Sequence, residues 1–271
     1  MSSPAQVIVS RNVRFPFDES IPRHWMPGDA LATHVGNGFN LLFPAAERFI
    51  IKSVRCHESA LEDPELRAQV RGFVAQEANH SREHEGFLRI LEKQGFRIGA
   101  YLAVQRRVFG ALERFLSPRL ALAATAATEH YTAIIGEVAL RERPFDGAHP
   151  TMRDLLMWHA AEEVEHKSVA FDVLRAVDSS YTLRLAGLAV ATTTIAVLWS
   201  VATWTLLLQD KDISWPSLAR RAMFGKSALP MGRLFLAIFP WLRPGFHPAS
   251  DPASHEQAVA YLAGVASGVA S

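Results

Sequence analysis

The amino-acid sequence predicts an all-α fold built around a bundle of long helices. Three observations lead there. Apolar residues recur at three- and four-residue spacing through much of the stretch from Thr33 to Asp178. Asp63-Pro64 and Ser117-Pro118 read as helix starts, an N-cap followed by proline in the first turn. Within the apolar patterns sit carboxylates and imidazoles at helical spacing. His159, Glu163 and His166 occupy positions i, i+4 and i+7 of one helix face, which points them into the bundle.

Taken in order, residues 1–30 contain Val7-Ile-Val9, several prolines and Trp25-Met-Pro-Gly-Asp29, and read as an extended arm packed on the bundle. A helix follows from Thr33 to about His57, carrying Glu47 among Phe39, Leu42, Phe43, Ile50, Ile51 and Val54. Pro44 is expected to kink or split it. Glu47 and Arg48 are adjacent and do not face each other on a helix, which favours an inward carboxylate over a surface ion pair. The next helix runs from Asp63-Pro64 to Gly95 and carries Gln76, Glu77, His80 and His84. Residues 98–115 form a short crossover helix. Ser117-Pro118 opens a third long helix rich in Ala and Thr, whose small side chains let helices approach closely and leave space near Glu129. Beyond Pro144, Gly147 and Pro150, the fourth long helix spans Thr151 to about Asp178. The organisation is therefore an arm (1–30), a bundle (31–180) and a hydrophobic helix with a C-terminal helical region (181–271).

The inward groups form a pattern. Glu77-Ala-Asn-His80 and Glu163-Val-Glu-His166 are two Glu-x-x-His pairs, and a lone inward Glu precedes each, Glu47 and Glu129. The four carboxylates lie 30, 52 and 34 residues apart. Thirty-odd residues carry a chain along one helix, round a turn and back along the next at ~1.5 Å per residue. The longer middle interval leaves room for a crossover. A Glu from each of two helices and Glu-x-x-His from the other two is the ligand set of ferritin-like dinuclear carboxylate bundles. The expected fold is thus a ferritin-like four-helix bundle with additional C-terminal helices. The expected metal ligands are Glu47, Glu77, His80, Glu129, Glu163 and His166, with His159, one turn before Glu163, as a seventh.

Three further residues are candidates for positions behind the ligands: His84, one turn beyond His80; His130, about 100° round the helix from Glu129; and Glu162. Glu162 and Glu165 are out of register for direct binding and are expected to pair with Lys167 or Arg153, or to orient the histidines. Carboxylate-rich sites suit iron or manganese better than zinc, so two iron ions are the expected cofactors, with manganese as the other choice.

A formal net charge of +1 gives no electrostatic footprint for nucleic acid. The single cysteine, Cys56, excludes an intrachain disulfide, suits a reducing compartment and reads as a core residue. Arg11 and Arg14 interrupt the N-terminus before any signal-peptide pattern develops, so a cytoplasmic location is expected. From Leu185 to Gln209 there are 25 positions without a charge, long enough for a membrane span. Trp199 and Trp204 lie toward one end of it, and Arg220-Arg221, Lys226 and the apolar patch Phe235–Leu242 follow. This supports association with the inner membrane. A helix covering the bundle, or one forming a homodimer interface, is the alternative. After Asp251 a small helix is expected from Glu256 to about Val265.

Four stretches carry a resemblance: Phe43-Pro-Ala-Ala-Glu47-Arg48, Gln76-Glu77-x-x-His80-x-x-x-His84, Trp158-His159-x-x-Glu162-Glu163-x-Glu165-His166-Lys167 and Arg243-Pro-Gly-Phe-His-Pro248. Over roughly residues 20–250 the chain resembles a bacterial family called the predicted metal-dependent hydrolases. Ala46 stands where that family often has glycine. The His159-x-x-x-Glu163-x-x-His166 spacing is also similar to that of di-iron arylamine N-oxygenases, which add a third histidine to the usual six ligands. The residues themselves favour oxidation, because the expected pocket is aliphatic and aromatic and offers few groups to a polar leaving group. The main expectation is a di-iron oxidase or oxygenase that takes dioxygen, an electron donor and a hydrophobic small molecule. Hydrolysis, with two metals activating water, is the alternative. Iron storage or peroxide removal is a third class.

Overall fold

The computed structural model describes residues 8–224, 236 and 238–266. Val7, Lys226, Phe235 and Ala237, singled out in the sequence, lie outside the described residues. Among the described residues every long element is a helix: α1 Ala30–Arg55, α2 Pro64–Lys93, α3 Gly99–Phe115, α4 Pro118–Glu142, α5 Pro150–His166, α6 Val169–Val177, α7 Tyr181–Leu207, α8 Trp215–Phe224, α9 Ile238–Trp241 and α10 Pro252–Ala266.

Helix ends fall where the chain supplies caps. Asp29, Asp63 and Ser117 each accept a backbone N–H of the first turn of α1, α2 and α4, and Pro64 and Pro118 follow as first helical residues. Gly95, at φ +89°, turns the chain out of α2, while Phe96 N reaches back to Leu91 O at 3.0 Å. Pro44 does not split α1, which runs through it. The turns on both sides are buried, so packing holds the helix across the missing N–H. The fourth ligand helix is divided. Its hydrogen-bond ladder lapses at Lys167 and Ser168, both in right-handed helical conformation, and resumes as α6. The Lys167 ammonium turns aside there to Glu137, Ser254 and Asp251 O. Cys56 is exposed rather than in the core, because it caps the C-terminus of α1.

α1, α2, α4 and α5 form the four-helix bundle, α1 packing on α2 and α4, and α5 on α4 and α2. α7 covers α4 and α1, α3 packs on α1, and α10 lies against α5. Small residues set two of these distances. A Cβ on Gly136 would stand 2.5 Å from Ala160 O on α5, and one on Gly187 would stand 2.4 Å from the backbone of Ala123 on α4. The charge-free stretch is therefore one face of contact and one face of exposure. Gly187, Leu188, Ala191, Leu198 and Ala202 are buried, whereas Val197, Val201 and Trp204 are about half exposed. Of the two tryptophans, Trp199 turns inward, stacking on Phe39 at 4.6 Å and donating to Val35 O.

One polar knot closes the end of the bundle. Asp210 Oδ2, just past α7, lies 2.6 Å from both His24 Nε2 of the arm and His34 Nε2 of α1, and Oδ1 accepts from Asp212 N. Burial alone would raise the Asp210 carboxyl, but these partners outweigh it and hold the group down at about 2.

The close α4–α7 approach yields a prediction. Gly187→Val forces the two backbones apart, and overpacking of this kind costs about 1–3 kcal/mol. Equilibrium denaturation measures it; a loss too small to detect would show that α7 is loosely held.

Candidate metal centre

Each bundle helix contributes, three of them from their interior and α5 from its last turn. Glu47 comes from α1, Glu77 and His80 from α2, Glu129 from α4, and Glu163 and His166 from α5. All six are at most 4% exposed. Their donor atoms fall in overlapping groups whose members lie within 4.8 Å of one another: Glu77, Glu129, Glu163 and His166; Glu47, Glu77 and His80; His80, His159 and Glu163; and Glu47, His84 and His159.

The directions of these atoms are as informative as their distances. His166 Nε2 is 3.1 Å from Glu129 Oε2 and 3.2 Å from Glu77 Oε1, yet none of these contacts has hydrogen-bond angles. Both oxygens of Glu47, Glu77 and Glu129, Oε2 of Glu163, Nδ1 of His80 and Nε2 of His166 are buried without a hydrogen-bond partner. Buried polar atoms are almost always paired. A cluster that converges on a shared space without pairing fits cations held there, and the donor chemistry fits as well.

Burial pushes Glu47 and Glu77 well above the usual carboxylate range, with repulsion from Glu163 and Glu129 respectively adding to it. Burial and Glu163 raise Glu129 to about 7. Burial also acts to raise Glu163, but the neighbouring His159 and His166 outweigh it and hold that carboxyl well below the range. Burial and the adjacent His159 keep His80 and His84 well below the usual imidazole value.

A second ring of residues fixes the imidazoles. His80 Nε2 lies 3.0 Å from Glu162 Oε2, which leaves Nδ1 facing the centre. His166 Nδ1 lies 2.9 Å from Gln76 Oε1, an oxygen that only accepts, so Nδ1 carries the proton and Nε2 presents its lone pair. Gln76 Nε2 in turn donates to Glu165 Oε2 at 2.6 Å. Glu165 and Glu162 do not pair with Lys167 or Arg153. They share Arg11 of the arm, at 2.7 and 2.9 Å for Glu165 and 3.3 Å for Glu162, while Arg153 pairs with Asp154. Nothing in the sequence marks Arg11 for this role, since it lies about 150 positions from its partners, and Gln76 carries only the signal of adjoining Glu77.

His84 and His159 form a buried line beside the centre: Asn40 Oδ1 to His84 Nδ1 at 2.8 Å, His84 Nε2 to His159 Nδ1 at 2.5 Å, and His159 Nε2 to Glu163 Oε1 at 2.8 Å. Both nitrogens of His159 are thus engaged. His130 stands apart from the group. Its offset from Glu129 turns it to the other side of α4, where it stacks on Trp241 at 5.1 Å and meets Phe246. The Arg243–Pro248 stretch braces that side: Arg184 donates to the carbonyls of Trp241 and Arg243, and His247 Nε2 lies 2.8 Å from Asp172.

Two predictions follow from this geometry. Gln76→Ala removes the acceptor that fixes the His166 tautomer, and loss of such a partner weakens metal affinity about 10–100-fold; competition with a chelating dye measures it, and unchanged affinity refutes the role. The second concerns metal-free protein. There Glu47, Glu77 and Glu129 keep protons that the unfolded chain releases above 4.5, so their contribution to stability falls as pH rises through the folded values. Buried His80 and His84 act in the opposite sense, but only below 6.5, where unfolded imidazoles charge. Above about pH 6.5 the carboxyls and His166, which burial would lower but Glu129 and Glu163 hold well above the usual imidazole value, act in the same sense, and the Tm of chelated protein should fall with rising pH. A flat or rising Tm would show that these groups are not protonated in the folded chain.

A profile of the family described as predicted metal-dependent hydrolase matches residues 9–251. No curated protein and no solved structure matches the chain. The family match overturns the expectation of a dioxygen-activating di-iron oxidase or oxygenase and favours the hydrolytic alternative. The oxidative reading rested on donor types and an apolar pocket, and both chemistries use the same carboxylate and imidazole donors. With the match spanning arm, bundle and C-terminal brace alike, the chain belongs to the predicted metal-dependent hydrolase family.

Proposed function

We propose that the chain hydrolyses an uncharged ester or amide bond in a hydrophobic small molecule, using two divalent ions held by Glu47, Glu77, His80, Glu129, Glu163 and His166. The observation that carries this reading is the set of buried donor atoms, unpaired and convergent, in a metal-dependent hydrolase family. Glu77 belongs to both the Glu47/His80 group and the Glu129/Glu163/His166 group, and together these donors would hold two ions. A donor set rich in carboxylate favours manganese or ferrous iron over zinc. When bound, such a pair supplies Lewis acidity that activates water and polarises the scissile carbonyl.

The chain does the rest. Glu162 and Gln76 keep the two ligand imidazoles in the binding tautomer. His159 holds Glu163 Oε1, and with both nitrogens engaged it serves as a positioning residue in this reading rather than as a seventh ligand. Phe39 and Phe43 stack on each other and line the space beside Glu163, and their apolar rings lower the local dielectric, which strengthens the electrostatic interactions there. No lysine or arginine lines this space among the described residues, so an uncharged substrate suits it best.

The test is hydrolysis of an aryl ester under strict anaerobiosis. Activity should vanish on chelation, return when manganese, zinc or ferrous iron is added, and be abolished by Glu129→Ala. Inactivity of the reloaded protein toward both esters and amides would overturn the reading. His159→Ala should retain two ions per chain with lower turnover; loss of one ion would place the ring among the ligands.

A further inference from the structure

The space beside the centre has two lobes. One lies between α1, α3, α4 and α7 and is walled by Leu42, Ala46, Phe109, Leu112, Ala191 and Ile195. The other runs toward the arm and is walled by Met26, Ala32, Ala139, Phe145 and Leu156. Both reach Glu163, and Phe39, Phe43, Thr132 and Ile135 are common to the two. Of the four hydroxyl side chains that line the first lobe, three are engaged by the protein: Thr128 donates to Ala124 O, Thr132 to Glu129 O, and Tyr131 pairs with Thr192. Away from the ligand groups and Thr194 both walls therefore present hydrocarbon. The lobes are also small. Their cavity volumes are about 50 and 60 Å³, against ~150 Å³ for an apolar cavity that takes a benzene ring.

Resting on the hydrolytic reading above, we infer that the substrate is a linear ester with a flexible hydrocarbon arm on each side of the scissile bond, one arm in each lobe and the carbonyl beside Glu163. Two apolar lobes that meet at the ligands favour apolar substance on both sides of the reacting bond, and their small volumes admit a short chain sooner than a ring. Hydrolysis then breaks the acyl C–O bond: water supplies the hydroxyl that joins the carbonyl carbon, and its proton leaves with the alcohol. The products are one linear carboxylic acid and one linear alcohol.

Binding can be tested apart from cleavage with uncleavable ethers, read by displacement of an apolar fluorescent dye from the metal-loaded protein. Each buried methylene contributes about a fourfold gain in affinity, so dipropyl ether, with arms short enough for lobes of this volume, should bind ~10-fold more tightly than methyl propyl ether after losses to ordering. Ala46→Phe fills the first lobe and Ala32→Phe the second, and each should erase the gain from the second arm. If either variant fails to fold, Ile195→Phe and Phe145→Trp fill the same lobes. Equal binding of the two ethers by the unmodified protein, or a second-arm gain that survives either substitution, overturns the inference. Ester cleavage decides the other question separately. Esters cleaved without dependence on arm length leave the hydrolytic reading standing and sink this one; two-armed ethers bound by a protein that cleaves no ester do the reverse.

Discussion

Four carboxylates buried beside two imidazoles are the constraint on which the rest of this structure depends. Taking an ionised group out of water costs several kcal/mol even after the protein relaxes. Glu47, Glu77, Glu129 and Glu163 meet that cost without a lysine or arginine within 4 Å of their oxygens among the described residues; the basic groups within that distance of Glu77, Glu129 and Glu163 are imidazoles. Protons or metal ions must make up the difference. A bundle that buried these groups only for stability would gain by replacing them with leucine. Their placement on four different helices at one level is explained by what they bind, and metal binding in turn ties the four helices together.

Neutralisation is also organised one layer out. Arg11 spans Glu162 and Glu165, Glu165 holds Gln76, Gln76 holds His166, and Glu162 holds His80. A single guanidinium thus steadies both ligand imidazoles through two hydrogen-bonded routes. Arg11 of the arm is therefore part of the centre, and the family match, residues 9–251, includes it. The Asp210 knot pins the same arm a second time, at His24, so the segment that delivers Arg11 is fastened at both ends.

Much of the fold and the convergence of the inward groups was legible in the sequence, for a geometric reason. Within a helix, spacing alone decides which residues share a face, so Glu77 with His80 and Glu163 with His166 could be read directly, and interval length supplied the hairpins. What spacing cannot reach is a partner distant along the chain. Arg11 was invisible as the cation for Glu162 and Glu165, and the nearer Lys167 and Arg153 were the wrong choice. Local rules also failed where packing outweighed them: Pro44 inside α1 leaves the helix unbroken, while no breaker residue announces the lapse at Lys167 and Ser168. The choice between oxidation and hydrolysis lay beyond the ligand pattern, because identical donors serve both.

The charge-free stretch shows how one sequence signal can have two causes. Hydropathy averages over a helix, and α7 is apolar on its inner side because that side touches α4 and walls the first lobe with Val190, Ala191, Thr194 and Ile195. Its outer side is apolar without the same cover: Val197, Val201 and Trp204 are about half exposed, and Trp204 stacks on Trp215 of α8 at 6.4 Å. Packing of α7 along α4 and α1 sets its inner side against protein rather than lipid, so length and composition alone do not make it a span. They do make it a thin wall. A helix with its side chains is about 10 Å across, so whatever contacts the outer side of α7 lies one helix diameter from the cavity that reaches Glu163.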